Sequence, residues 1–287
     1  MPPRIRIDPI QSESDRTDAI SLLSEGFPNT PWWPEVIGKF NLNEKTKGGL
    51  LLKIDGASQG VMLLFEHERL VQNKNTRFVN ISSWYVRKNC RNFTNAILKE
   101  AIKDEHAIYA VFTPSPAVLR RCLAVGFRLI SDEAILSLPF RNDRGTGGKA
   151  SIKLLKHKAN CSSLSATDIP LAVNDHSELP FVAMEVRSTE HDSLAIVIFR
   201  LVLRRGIRFS RLIYTSNSDL TIASLGSIKY FLLRKNLCFG IYLPKSCGYQ
   251  SLRNYFPNIA SPSILVKGSL SDADVDLLYS EYLYLPI

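Results

Sequence analysis

The stretch Trp84-Tyr85-Val86-Arg87-Lys88-Asn89-Cys90-Arg91-Asn92-Phe93-Thr94-Asn95 decides the reading of this chain. An apolar run, Arg77 to Val86, ends in a polar loop with three cations and then opens a helical pattern from Thr94 to Lys103. A strand that turns directly into a helix leaves the first backbone N–H groups of that helix pointing outward. The positive end of the helix dipole lies at the same place, so the junction suits an anion.

Working outward, Gly49 to Ile54 and Gln59 to His67 are apolar runs joined by Asp55-Gly56, a strong hairpin signal. With the run from Arg77 they predict a three-stranded antiparallel meander. Upstream, Arg4 to Asp8 alternates like a short strand. Ser12 to Phe27 is an amphipathic helix ended by Pro28, Asn29 and Pro31, and a second short helical stretch follows Trp32-Trp33. Downstream, the spacing predicts a strand at Ala107 to Phe112, a helix from Pro116 to Val125 closed by Gly126, and a strand at Glu133 to Phe140. The expected order is β, α, α, β, β, β, α, β, α, β.

In position and residue type the loop resembles the diphosphate-binding loop of the GNAT (Gcn5-related N-acetyltransferase) superfamily, where V-x-P-x-x-R-G-x-G-x-G closes the central strand. Val86 and Arg91 match. Asn89 departs from the proline, Asn92 and Thr94 hold glycine positions, and Asn95 follows. Gly126-Phe127 resembles the glycine-aromatic step of the same family, and the resemblance covers roughly residues 4 to 140.

The resemblance implies an acyltransferase that moves an acyl group from acetyl-CoA or a longer acyl-CoA to an amine. It implies cofactor contacts from Trp84, Tyr85, Val86, Arg91, Asn92, Phe93, Thr94 and Asn95, with the carbonyl polarised by a strand N–H between Trp84 and Val86. The family's leaving-group acid, a tyrosine four residues before the glycine, is here Cys122, and Glu66 is the nearest carboxylate to serve as base. The alternative is a GNAT-like binding or assembly protein that has lost its cofactor, for which the missing glycines and tyrosine speak. A transferase using aminoacyl-tRNA ranks last, because the sequence shows no basic, aromatic-lined channel.

The polar, glycine-rich segment Asn142 to Ala150 reads as a linker. The expected organisation is therefore a GNAT-like domain at 1–141, the linker at 142–150, and a second, degenerate GNAT-like domain at 151–287. In the second half, strands are expected at Phe181 to Val186, Phe209 to Tyr214, Leu237 to Leu243, Ile264 to Lys267 and Leu277 to Leu285, with helices at Leu220 to Arg234 and near Tyr249 to Tyr255. Leu194 to Leu203 is strongly apolar, and Arg204 to Arg208 reads as a basic loop between a helix and a strand. The order strand, polar loop, helix, strand, turn, helix recurs about 130 residues on, which suggests an internal duplication. The second loop, Thr215 to Asp219, carries an acid and no cation, so Asp219 would repel a diphosphate. The predicted class is α/β (α+β), each domain a mixed, mostly antiparallel sheet flanked by helices.

Composition sets the remaining bounds. The 287 residues are 45% hydrophobic and 22% charged, ordinary globular values, and carry a formal net charge of +9. That charge favours anionic partners, but it is spread along the chain, and nucleic acid is not expected as a partner. Five cysteines and five histidines show no paired metal-ligand spacing, so no metal is expected. Neither an N-terminal signal segment nor an apolar run long enough for a membrane span is present, which reads as a cytoplasmic protein.

Overall fold

The computed structural model describes residues 3–39, 48–71, 74–138, 149–155, 181–235, 237–244, 258–270 and 277. It is an α+β fold with two mostly antiparallel sheets flanked by helices, in two compact units. One gathers Met1–Leu129 with Ile264–Leu270. The other holds Ile130–Ser263 together with the stretch that contains Leu277.

In the first unit β1 (Ile5–Pro9), β2 (Gly49–Ile54), β3 (Ala57–Val71) and β4 (Lys74–Val86) pair antiparallel in that order. The β2–β3 turn places Asp55 at a φ of 49° and Gly56 at 85°, the two left-handed residues that a tight hairpin matched to strand twist requires. β5 (Ile108–Val111) then lies parallel to β4, because α3 (Thr94–Ala101) carries the chain back across the sheet. β12 (Asn258–Lys267) closes the order, pairing antiparallel to β5 through Leu265 and Val111.

Two cores sandwich this sheet. Leu51, Val61, Leu63 and Phe65 face α1 (Glu13–Gly26) and α2 (Trp33–Lys39), where Leu22, Leu23 and Trp33 meet them. Leu52, Met62, Leu64, Val79 and Tyr109 face α3 and α4 (Pro116–Ala124), where Ile97, Leu98 and Cys122 meet them. Each fully buried aliphatic of this kind contributes about 1.5–3 kcal/mol.

The helix ends follow their sequences. Ser12 caps α1 in a capping box with Asp15, and Ser115 caps α4 ahead of Pro116. Gly126, at a φ of 89°, ends α4, and Lys267 from β12 donates to the Val125 carbonyl at 2.9 Å. At Asp15 burial opposes ionisation, but hydrogen bonds from Lys53 and Ser12 outweigh it and hold the carboxyl well below the usual range.

The second unit has the same plan. β7 (Ala150–Leu154), β8 (Phe181–Ser188), β9 (Leu194–Arg204) and β10 (Ile207–Thr215) pair antiparallel in order. β11 (Gly240–Pro244) lies parallel to β10, and β6 (Arg128–Ser137) pairs antiparallel to β11. Thus each unit's sheet ends on a strand from the other half of the sequence. α5 (Ser218–Ala223) and α6 (Leu225–Arg234) cover one face, over Val197, Phe199, Leu212 and Ile241.

The second half departs from expectation in places. Leu194 to Leu203 forms β9, so Arg204 to Arg208 turns a hairpin between two strands, with Arg205 at a φ of 50° and Gly206 at 79°. The run Ile196-Val197-Ile198-Phe199 is β-branched and aromatic, and a two-residue left-handed turn follows it; together these outweigh the helical reading. The expected single helix at Leu220 to Arg234 breaks at Ser224 into α5 and α6. The proposed linker lies outside the described residues save Lys149 and Ala150, as do the helix near Tyr249 to Tyr255 and, save Leu277, the strand at Leu277 to Leu285. Among the described residues no helix is long and apolar enough to cross a membrane, and no group of three metal-ligating side chains is found.

Candidate functional site

The site is built where β4 and β5 part. They pair over three rungs only, Phe78 with Ile108, Val79 with Tyr109 and Asn80 with Ala110. β4 then runs on for six residues to Val86, while β5 ends at Val111. Past Asn80 no described strand lies beside the β5-facing edge of β4, so its backbone groups there call for other partners.

A bulge marks the same place. Opposite β3, Leu63 faces Ser82 and Val61 faces Tyr85, so two β3 steps span three on β4. Ser83 takes a φ of 44°, in the left-handed region, and its hydroxyl lies 3.2 Å from that of Ser82. A bulge bends its strand and re-aims the backbone, a device common beside functional sites.

Between the parted strands lies a cavity of about 210 Å³, walled by Ser82, Ser83 and Trp84 on one side and by Val111, Thr113 and Ser115 on the other. Phe27, Thr30 and Trp33 border it from the α1–α2 side, with the Phe27 and Trp33 rings 5.6 Å apart. Val118, in the first turn of α4, completes the wall. Apolar and aromatic walls with a few hydroxyls suit a small organic group. At the last β4–β5 rung, next to the wall residue Ile81, Asn80 is 3% exposed, and neither polar atom of its amide has a hydrogen-bond partner among the described residues.

Past the cavity the chain forms a 3-10 turn, Lys88–Phe93, and then α3. No side chain caps the turn. Asn92 sits in it at an ordinary negative φ, so the backbone at this point makes no demand for glycine. Thr94 donates to the Arg91 carbonyl at 2.6 Å, and Arg121 from α4 donates to Asn95 Oδ1 at 2.6 Å.

On the other side of the β4 end, Glu25 accepts from Tyr85 Oη at 2.8 Å and from Arg87 Nε at 2.9 Å. The Arg87 bond, then the Tyr85 bond, lowers the pKa of Glu25. With Lys88 and Asn89 these residues line a shallow surface hollow.

The residues singled out from sequence therefore separate. Trp84 walls the cavity, Val86 is buried in the core, and Tyr85 points to α1. Arg91, Asn92 and Asn95 are exposed at the turn and the start of α3, with Phe93 and Thr94 half-buried between them. Glu66 is not in the cavity wall. It accepts from Arg77 Nη2 at 2.7 Å and Nε at 3.0 Å, and Arg77 also reaches Asp104 at 2.8 Å. Cys122 is fully buried in the core, where desolvation pushes its thiol up to about 11.

Ser82, Ser83, Thr113, Ser115 and Asn80 were not found by motif. One signal for the bulge was present. The residues of β4 that face α3 and α4 are Val79, Ile81, Trp84 and Val86, an alternation that slips by one residue at Ser82-Ser83.

No family model matches the sequence, and no curated protein matches it. Among solved structures the fold is that of GCN5-related N-acetyltransferases. The one from Anabaena variabilis superposes at a TM-score of 0.62, with 10% identity over 92% of this chain and 72% of that one. The one from Kribbella flavida gives 0.55, with 11% identity over 92% of this chain and 71% of that one. The glucosamine N-acetyltransferase region of a fungal multi-domain β-N-acetylglucosaminidase gives 0.57, with 11% identity over 93% of this chain and 38% of that one.

Proposed function

We propose that this chain is an acyl-CoA-dependent acyltransferase that acylates an amine, with the wedge between β4 and β5 as its donor site. The observation that carries the reading is the parting of these strands at the Ser83 bulge, with a cavity between them and a basic, uncapped turn beyond. The likeness in fold to acetyltransferases supports it.

An unpaired strand edge binds best a ligand that imitates a strand, and the pantetheine arm of coenzyme A is an extended chain with two amides. Laid along β4 past Asn80, it brings its thioester to Ser82–Trp84 and its diphosphate to the turn with Lys88 and Arg91. A backbone N–H of the bulged segment then faces the thioester carbonyl, where negative charge develops as the amine adds. The C–N bond forms, the C–S bond breaks, the thiolate departs, and the amine proton leaves to the thiolate or to solvent.

This reading places no proton transfer on Glu66, which Arg77 holds, or on Cys122, which lies in the core. The cavity volume suits a short acyl group, so acetyl-CoA is the first donor to test. Calorimetric titration with acetyl-CoA should show saturable binding that Val118→Trp, which fills the cavity, abolishes. Thiol release on adding a panel of amines should follow. Absence of binding to the wild-type protein overturns the proposal and favours the alternative, a binding or assembly protein that has lost its cofactor, which the 3-10 form of the turn also suits; binding without thiol release from any amine overturns the acylation of an amine.

A further inference from the structure

Among the described residues three cations stand at the entrance to α3 without a carboxylate partner: Lys88 and Arg91 in the 3-10 turn, and Arg121. Arg121 differs from the other two because it comes from α4. Val118, one turn earlier on the same helix face, lines the cavity. The half-buried Arg121 side chain reaches from α4 to the second residue of α3, and its hydrogen bond there is to a neutral amide oxygen, Asn95 Oδ1, at 2.6 Å. A guanidinium held by a neutral acceptor loses little by exchanging it for a phosphate. Charge-assisted bonds are roughly twice as strong as neutral ones, and the fork of the guanidinium matches two phosphate oxygens.

The turn itself needs such help. Asn92 and Thr94 put side chains where a glycine-rich loop would let a diphosphate touch bare backbone, and fewer close amides leave more of the negative charge to be met by side chains.

Resting on the acyl-CoA reading of the wedge, we propose that Arg121 is a diphosphate-binding residue, which releases Asn95 and takes up the diphosphate when the cofactor enters. α4 then supplies, as a forked guanidinium, what a glycine-rich loop would supply as backbone dipoles.

The test compares acetyl-CoA with S-acetylpantetheine, which has the arm and the thioester but no phosphate, by calorimetry on the wild-type protein, Arg121→Gln, Arg121→Lys and Asn95→Ala. Arg121→Gln should weaken acetyl-CoA by roughly 10- to 100-fold and flatten its dependence on salt, while acetylpantetheine changes by less than about twofold. Arg121→Lys should recover part of the loss, and Asn95→Ala should bind acetyl-CoA at least as tightly as wild type. Equal loss for both ligands, or acetyl-CoA binding by Arg121→Gln that matches wild type, overturns the proposal. If the wild-type protein binds neither ligand, the acyl-CoA reading itself falls and takes this one with it. Binding of acetyl-CoA that survives in Arg121→Gln leaves that reading standing without Arg121.

Discussion

The pairs β4–β5 and β10–β11 are the same construction with opposite outcomes. Among the described residues each is the one parallel pair within its unit, each pairs over three rungs, and each carries a bulge soon after on the longer strand. In the first unit the bulge residue is Ser83, and the strands open on a hydroxyl-lined cavity. In the second the bulge residue is the fully buried Ile213, whose carbonyl accepts the backbone N–H of Leu277 at 2.9 Å. There the chain itself supplies a partner beside the bulge, whereas no described strand covers the β5-facing edge of β4 beside the Ser83 bulge.

The helix entrances differ in the same sense. Asn217 caps α5 by accepting from the Leu220 N–H at 3.0 Å, and Thr215 and Thr221 share a 2.7 Å hydrogen bond beside it. The turn before α3 has no side-chain cap and three cations around it. Topology thus provides a slot, and whether the slot is for sale to a ligand depends on whether local side chains and backbone have already filled it.

Filling each slot in turn should break the symmetry most sharply. Val118→Trp is expected to weaken acetyl-CoA binding by at least roughly 100-fold with the fold retained, because the indole occupies a preformed cavity. Ile213→Ala should leave acetyl-CoA binding unchanged and cost about 2–4 kcal/mol in chemical denaturation, the cost of a cavity in a closed core. Acetyl-CoA affinity that responds to Ile213→Ala and ignores Val118→Trp would exchange the roles of the two units.

Smaller effects test the two linings. Asn80→Leu removes a buried amide with no partner at the last β4–β5 rung, so it should raise stability by about 1 kcal/mol; a loss of stability would show that Asn80 is satisfied in solution. Asn217→Ala should cost about 1 kcal/mol by uncapping α5, measured by the same denaturation.

A change of similar size that depends on pH concerns α1, whose C-terminal residue Gly26 leads to Phe27 in the cavity wall. Asp15→Asn should cost about 1 kcal/mol at neutral pH, since it weakens the capping box and the 2.8 Å contact with Lys53. Because folding depresses the Asp15 pKa, this contribution is present above the ordinary value of 3.8 and fades as pH falls below it. Denaturation curves of the two proteins should therefore converge in acid; a constant gap down to pH 2 would place the effect elsewhere.

Much of the first unit was legible because its signals are local. Asp55-Gly56, the Ser12 cap, Pro116 and Gly126 each fix a boundary through backbone conformation, and the strand-to-helix step at Val86–Thr94 followed from pattern alone. The bulge was harder, since a one-residue slip of alternation is faint against the polar pair Ser82-Ser83. Alternation also puts Glu66 on the face of Arg77, opposite it only two rungs away in register, yet nothing in sequence says that Arg77 holds it. Asn80 was invisible as a site residue because its significance lies in missing partners. The β6 and β12 assignments were out of reach for a different reason: strand choice depends on contacts more than a hundred residues apart, and no local propensity encodes them.

Those two strands bear on how the chain comes off the ribosome. β5 is complete once Val111 has emerged, but its neighbour β12 is about 150 residues further on, a delay of roughly 8–30 s at 5–20 residues per second. For that interval the nascent first unit carries a bare, apolar strand edge of the kind that seeds aggregation. The finished protein shows none of this exposure, so the demand falls on chaperones and on the pace of translation rather than on the stability of the native state.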